Sequence, residues 1–219
     1  MSTFPPSFEE PKPDMEQILP LLPTTLERIG VTQQILRNAV ERGEIARRGC
    51  TELDPPTRAG YSAWAETTRA IREGLVGKGW QAIQGGSCPT VSPDGKVAII
   101  VQTGDEATGM QRGTPRSKNP KGPAVELAVA NNNQRLLWGD VLTPKDPPPV
   151  ETWVLLVSRD RDQVRFELSL PWRVDADGRI VDWKQRILFA PINTEPTNEV
   201  LPVEDTGEIE IDVRKKQQA

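Results

Sequence analysis

There is no histidine anywhere in these 219 residues. That absence removes the Ser-His-Asp and Cys-His routes to an activated nucleophile, imidazole metal ligation and the commonest general base. Any catalysis would have to run on carboxylates, lysine or a bound metal, so an enzyme is the weaker expectation. Cysteine is nearly absent as well. Cys50 and Cys88 stand apart, without CxxC or Cys/His spacing, and suggest neither a zinc site nor a disulfide framework. No run approaches the roughly 18 apolar residues of a membrane span. The opening MSTFPPSFEEPKPD has neither the basic start nor the apolar stretch of a secretory signal. A soluble, cytoplasmic protein is expected. With a formal net charge of −4 the chain also lacks the domain-wide basic footprint of a nucleic-acid binder, leaving only local contacts open.

What is present is a polar, loop-rich composition, 36% hydrophobic with 21 Pro and 17 Gly, on a chain long enough to bury a real core. Residues 1–13, rich in proline, read as an extended arm. A helical layer is expected over 14–79. Met15, Ile18, Leu19 and Leu22 share one face; a second unit runs from Leu26 to Gly43; and Tyr61, Trp64, Thr68, Ile71 and Leu75 recur at spacings of three and four, with Arg69, Arg72 and Glu73 toward water. From Trp80 the period changes to two. Thr90–Ser92 and Lys96–Thr103 flank the turn Ser92-Pro93-Asp94-Gly95. Trp153–Val157 is a nearly continuous apolar run, and Val164, Phe166, Leu168 and Leu170 alternate with polar residues across the loop 159–162. Trp172–Val174, Arg179–Val181 and Gln185–Phe189 read as further strand segments. The expected fold is therefore α+β: five or six antiparallel strands over 80–190, packed by the N-terminal helices, with one helix at 124–137 and a basic loop at 104–123.

Two short stretches resemble known motifs. Residues 24–43 resemble a helix-turn-helix, with Gly30 in the turn, Thr32 as N-cap, and Gln33, Gln34, Arg37 and Asn38 exposed on the second helix, where a regulator would read base edges. The run DADGRIVD at 175–182 resembles an EF-hand loop through Asp175, Asp177 and Gly178. There Arg173 and Lys184 put cations where calcium needs oxygen, so a hairpin turn is the expectation.

The loop GDEATGMQRGTPRSKNPKGP carries the strongest functional signal. It has Arg112, Arg116, Lys118 and Lys121, with no acid after Glu106, and loops of this length inside a domain are usually either functional or disordered. It matches no phosphate-binding glycine pattern. Its cations suit an acidic protein surface or a nucleic-acid backbone. A competing reading joins Asp105 and Glu106 to Glu167 as ligands of a divalent metal, in a metal-dependent phosphodiesterase or nuclease. Residues 191–219 form an acidic tail in which Glu208–Val213 alternates cleanly, a strand that needs an edge on a protein partner or a second copy of the chain. The expectation overall is a bacterial or mobile-element binding protein: non-catalytic, without cofactor, and acting as an accessory or regulatory subunit.

Overall fold

The computed structural model describes residues 22–119, 123–138 and 150–194. Its first three helices are α1 (Leu22–Ile29), α2 (Gln33–Arg48) and α3 (Arg58–Val76). Gly30, at φ +75°, turns the chain between α1 and α2, and the Thr32 hydroxyl caps α2 by accepting from the backbone N–H of Ile35 at 3.3 Å. Helices α2 and α3 approach closely because Gly43 has no side chain. A Cβ there would lie 2.0 Å from the Thr67 Oγ1 and 2.8 Å from the Ala63 carbonyl oxygen. Arg42 ties the pair together at the surface, reaching Glu66 at 2.7 Å and Glu73 at 2.6 Å.

Two side-chain expectations for α3 need correction. The three-to-four spacing puts Tyr61 in the apolar row, yet it is 66% exposed and only leans on Trp64. The buried face is centred instead on Ala63, Thr67, Ala70 and Ile71, where small residues admit α2, and Tyr61 falls at its margin. Arg72 was expected to face water. It is half-buried and donates to the carbonyls of Ile83 and Cys88, closing the loop after β1 against the helix.

The sheet contains β1 (Gln81–Ala82), β2 (Thr90–Val91), β3 (Val97–Thr103), β4 (Glu151–Arg159), β5 (Gln163–Val174), β6 (Ile180–Leu188) and β7 (Ile192–Asn193). The order is β1-β2-β3-β4-β5-β6, with β7 also paired to β5. Seven strands form where five or six were expected. Trp172–Val174 is the end of β5, after register shifts around Pro171, which has no N–H to give to the ladder. The pair β3–β4 is parallel, Val97 facing Glu151 and Thr103 facing Val157, and every other pair is antiparallel. A parallel pair needs a long crossover. Here that crossover is the basic loop together with α4 (Pro123–Trp138). The expected boundary at 190/191 also moves, because Ile192 and Asn193 pair with Val164 and Gln163.

Alternation along the central strands divides the core in two. Val97, Ile99, Val101, Trp153, Leu155 and Val157 pack with α1–α3, while Ile100, Val154, Leu156, Ile180 and Trp183 pack with Val125 of α4 on the opposite face. This explains the continuous apolar run of β4, which is buried on both sides. Buried Asn132 of α4 pins that helix to the sheet, accepting from the Thr152 N–H at 2.8 Å and donating to the Thr152 carbonyl at 3.0 Å. Among the described residues no helix is long and apolar enough to cross a membrane. The arm 1–13, Met15, Ile18 and Leu19, Lys121 and the segment 208–213 lie outside the described residues.

Candidate functional site

The loop that leaves β3 is closed at its neck and held against the sheet along its length. Gly104 extends the parallel pairing by donating to the Val157 carbonyl, and it bridges to Ser117, so the two ends of the loop meet. The Lys118 N–H then returns to the Thr103 carbonyl at 2.9 Å. Asp105 organises the neck, its carboxylate accepting from the backbone N–H groups of Ala107 at 3.1 Å and Arg116 at 3.0 Å. The far limb is bonded to β6. Ser117 donates its N–H to the Ile180 carbonyl and accepts the Ile180 N–H on its hydroxyl, both at 3.0 Å, while the Trp183 indole donates to the Pro115 carbonyl at 2.7 Å. The result is a compact loop with close ends, packed by its own chain and the sheet under it.

At the centre of this contact is a buried ion pair. Glu167, on β5, is fully buried and faces the same side as Leu156 and Ser169. Arg186 of β6 donates to it twice, Nε to Oε1 at 3.0 Å and Nη2 to Oε2 at 2.6 Å. The Ser169 hydroxyl adds a bond at 2.6 Å and the Gly109 N–H one at 2.7 Å. The same guanidinium donates to the Gly113 and Met110 carbonyls at 2.8 and 3.0 Å, so one arginine neutralises the carboxylate and grips the loop. Gly109 is essential to this approach. It sits at φ +72°, and a Cβ would lie 2.9 Å from that of Arg165.

The carboxylates expected to share a metal are thus directed elsewhere. Glu167 turns inward with four hydrogen bonds on its two oxygens, Asp105 is taken up by backbone N–H groups, and Glu106 is exposed, its carbonyl accepting from Arg165. Among the described residues no three His, Cys, Asp or Glu gather at one point. Arg112, Arg116 and Lys118, by contrast, are exposed, and their side chains make no ion pair with any described residue. Met110, 42% exposed, stands on the same loop.

The helix-turn-helix-like segment is built as α1, turn and α2, but its expected reading face is partly occupied. Arg37 is half-buried, donating to Glu41 at 3.0 Å and to the Ala190 carbonyl at 3.3 Å, and Gln34 donates to Asn38 at 2.6 Å, while Gln33, Gln34 and Asn38 are exposed. The turn at 175–178 is a hairpin turn in which Asp175 accepts from the N–H groups of Asp177 and Arg179.

Sequence reasoning missed Arg186 and Ser169. The available signal was Glu167 itself, a carboxylate between Phe166 and Leu168 in mid-strand, which demands a cationic partner from a neighbouring strand if its face is covered. Comparison with protein families, with curated proteins and with solved structures found no match for this chain.

Proposed function

We propose that this is a non-catalytic binding protein, an accessory or regulatory subunit, whose loop 104–119 docks onto an acidic surface of a protein partner. The supporting observation is a division of labour within the loop. Its backbone is anchored through Glu167 and Arg186, while Arg112, Arg116 and Lys118 project with no ion pair among the described residues. A preformed loop avoids much of the ordering cost of association. Met110 and the two arginines are of the types enriched in protein interfaces, and the net charge of −4 disfavours a long phosphate backbone as the ligand.

The test places a photocrosslinking amino acid at Met110 in the native cell and identifies what is captured. A protein, captured through an acidic segment and lost when Arg112, Arg116 and Lys118 are all changed to Ala, is the expected result. Capture of nucleic acid alone, or protein capture unaffected by the triple change, refutes the proposal.

A further inference from the structure

A second cationic site lies at the carboxyl end of β4, apart from the loop. Glu44 of α2 is buried, and three guanidiniums converge on it: Arg47 at 2.9 Å, Arg48 at 3.2 Å and Arg159 at 3.1 Å. The arrangement draws on α2 and on the end of β4, and Arg48 also donates to the Thr194 carbonyl beyond β7. No other carboxylate among the described residues forms a salt bridge with these arginines. One negative charge therefore faces three positive ones.

Glu44 and Arg159 are largely covered, while Arg47 and Arg48 keep 39% and 44% of their side chains exposed at the mouth of the cluster. Burial acts to raise the Glu44 carboxyl, yet the hydrogen bonds and charges of Arg47, Arg48 and Arg159 outweigh it and hold the group below the usual carboxylate range. Burial, together with the neighbouring charge of Arg47, holds Arg159 below the usual arginine range despite Glu44. Arg159 is only 19% exposed in its side chain, but it uses Nε alone on Glu44. Both of its terminal nitrogens, and Nη1 of Arg47 and of Arg48, donate to no described residue and are not sealed from solvent. A cluster with one carboxylate for three guanidiniums, each with N–H donors left unused by the described residues, has the donor set that a phosphate oxyanion takes.

We propose that Arg47, Arg48 and Arg159 form a binding site for a phosphate group, with Glu44 holding the three guanidiniums in place. The site is independent of the loop and of its docking role. The phosphate is either free or carried on a phosphorylated side chain, and both use the same donors.

The experiment is a titration of the full chain with inorganic phosphate at constant ionic strength, followed by calorimetry and 31P NMR, with a phosphoserine peptide and its unphosphorylated form run in parallel. Saturable phosphate binding is expected, weakened at least tenfold in R47Q/R48Q, whose half-exposed side chains can be removed without opening the core. The triple Ala change at Arg112, Arg116 and Lys118 should leave phosphate affinity unaltered, so that failure of the loop proposal and failure of this one are told apart. A phosphopeptide that binds more tightly than free phosphate assigns the group to a modified protein, and equal affinity assigns it to the free ion. Absence of saturable binding in the wild type, equal affinity in R47Q/R48Q, or loss of binding in the loop variant overturns the site.

Discussion

Replacing Arg186 by Ala tests the anchoring of the loop directly. The substitution deletes both donors to Glu167 and both bonds to the Gly113 and Met110 carbonyls, leaving a fully buried carboxylate with only the Ser169 hydroxyl and the Gly109 N–H. Removing one member of a buried pair typically costs about 3–5 kcal/mol, because the remaining charge is desolvated without compensation. Domains are stable by about 5–15 kcal/mol, so the variant should still fold. Urea denaturation should show a lower midpoint with an unchanged slope. Hydrogen exchange supplies the local readout. The amide protons of Gly109, Ser117 and Lys118, all hydrogen-bonded in the anchored loop, should exchange faster, while those of the β4–β5 ladder follow global stability alone. The double change R186M/E167Q should recover part of the loss, since neutralising both partners removes the orphaned charge. A cost under about 1 kcal/mol, the size of an exposed pair, or loop amides that exchange as in the wild type, would refute the clamp.

Two further outcomes follow from the helical layer. Gly43→Ala should destabilise the protein by about 1–3 kcal/mol, as overpacking does, because its Cβ would meet the backbone carbonyl of Ala63 as well as the Thr67 hydroxyl; Thr67→Ala in the same background should therefore relieve only part of the loss, measured by thermal unfolding. Glu44, whose carboxyl is held below its unfolded value, contributes stability that is present above an unfolded pKa of about 4.3 and is lost as pH falls through the lower folded value. Glu44→Gln should consequently flatten the decline in stability below about pH 5, and an unchanged acid limb in denaturation curves would contradict the linkage.

Local structure was legible in the sequence because it depends on neighbours along the chain. The three-to-four spacing of α3, the Thr32 cap, the Ser92–Gly95 turn with Gly95 at φ +71°, and the alternation of β5 each follow from residues within a few positions of one another. The α+β class follows from the same periods, and the prominence of the basic loop follows from composition and length.

Tertiary structure decided what periodicity does not encode, namely which segments become neighbours. That β4 lies parallel to β3 depends on the crossover through the loop and α4, and the continuous apolar run of β4 was compatible with either direction. Tyr61 and Ala63 stand two residues apart on one helix, and only the approach of α2 exposes the large residue and buries the small one. Glu167 reads identically in the sequence as a metal ligand or as an anchor. Its meaning was set when Arg186, Ser169 and Gly109 came together on one face of the sheet, because a buried charge takes its role from the groups that neutralise it, and those groups lie far away along the chain.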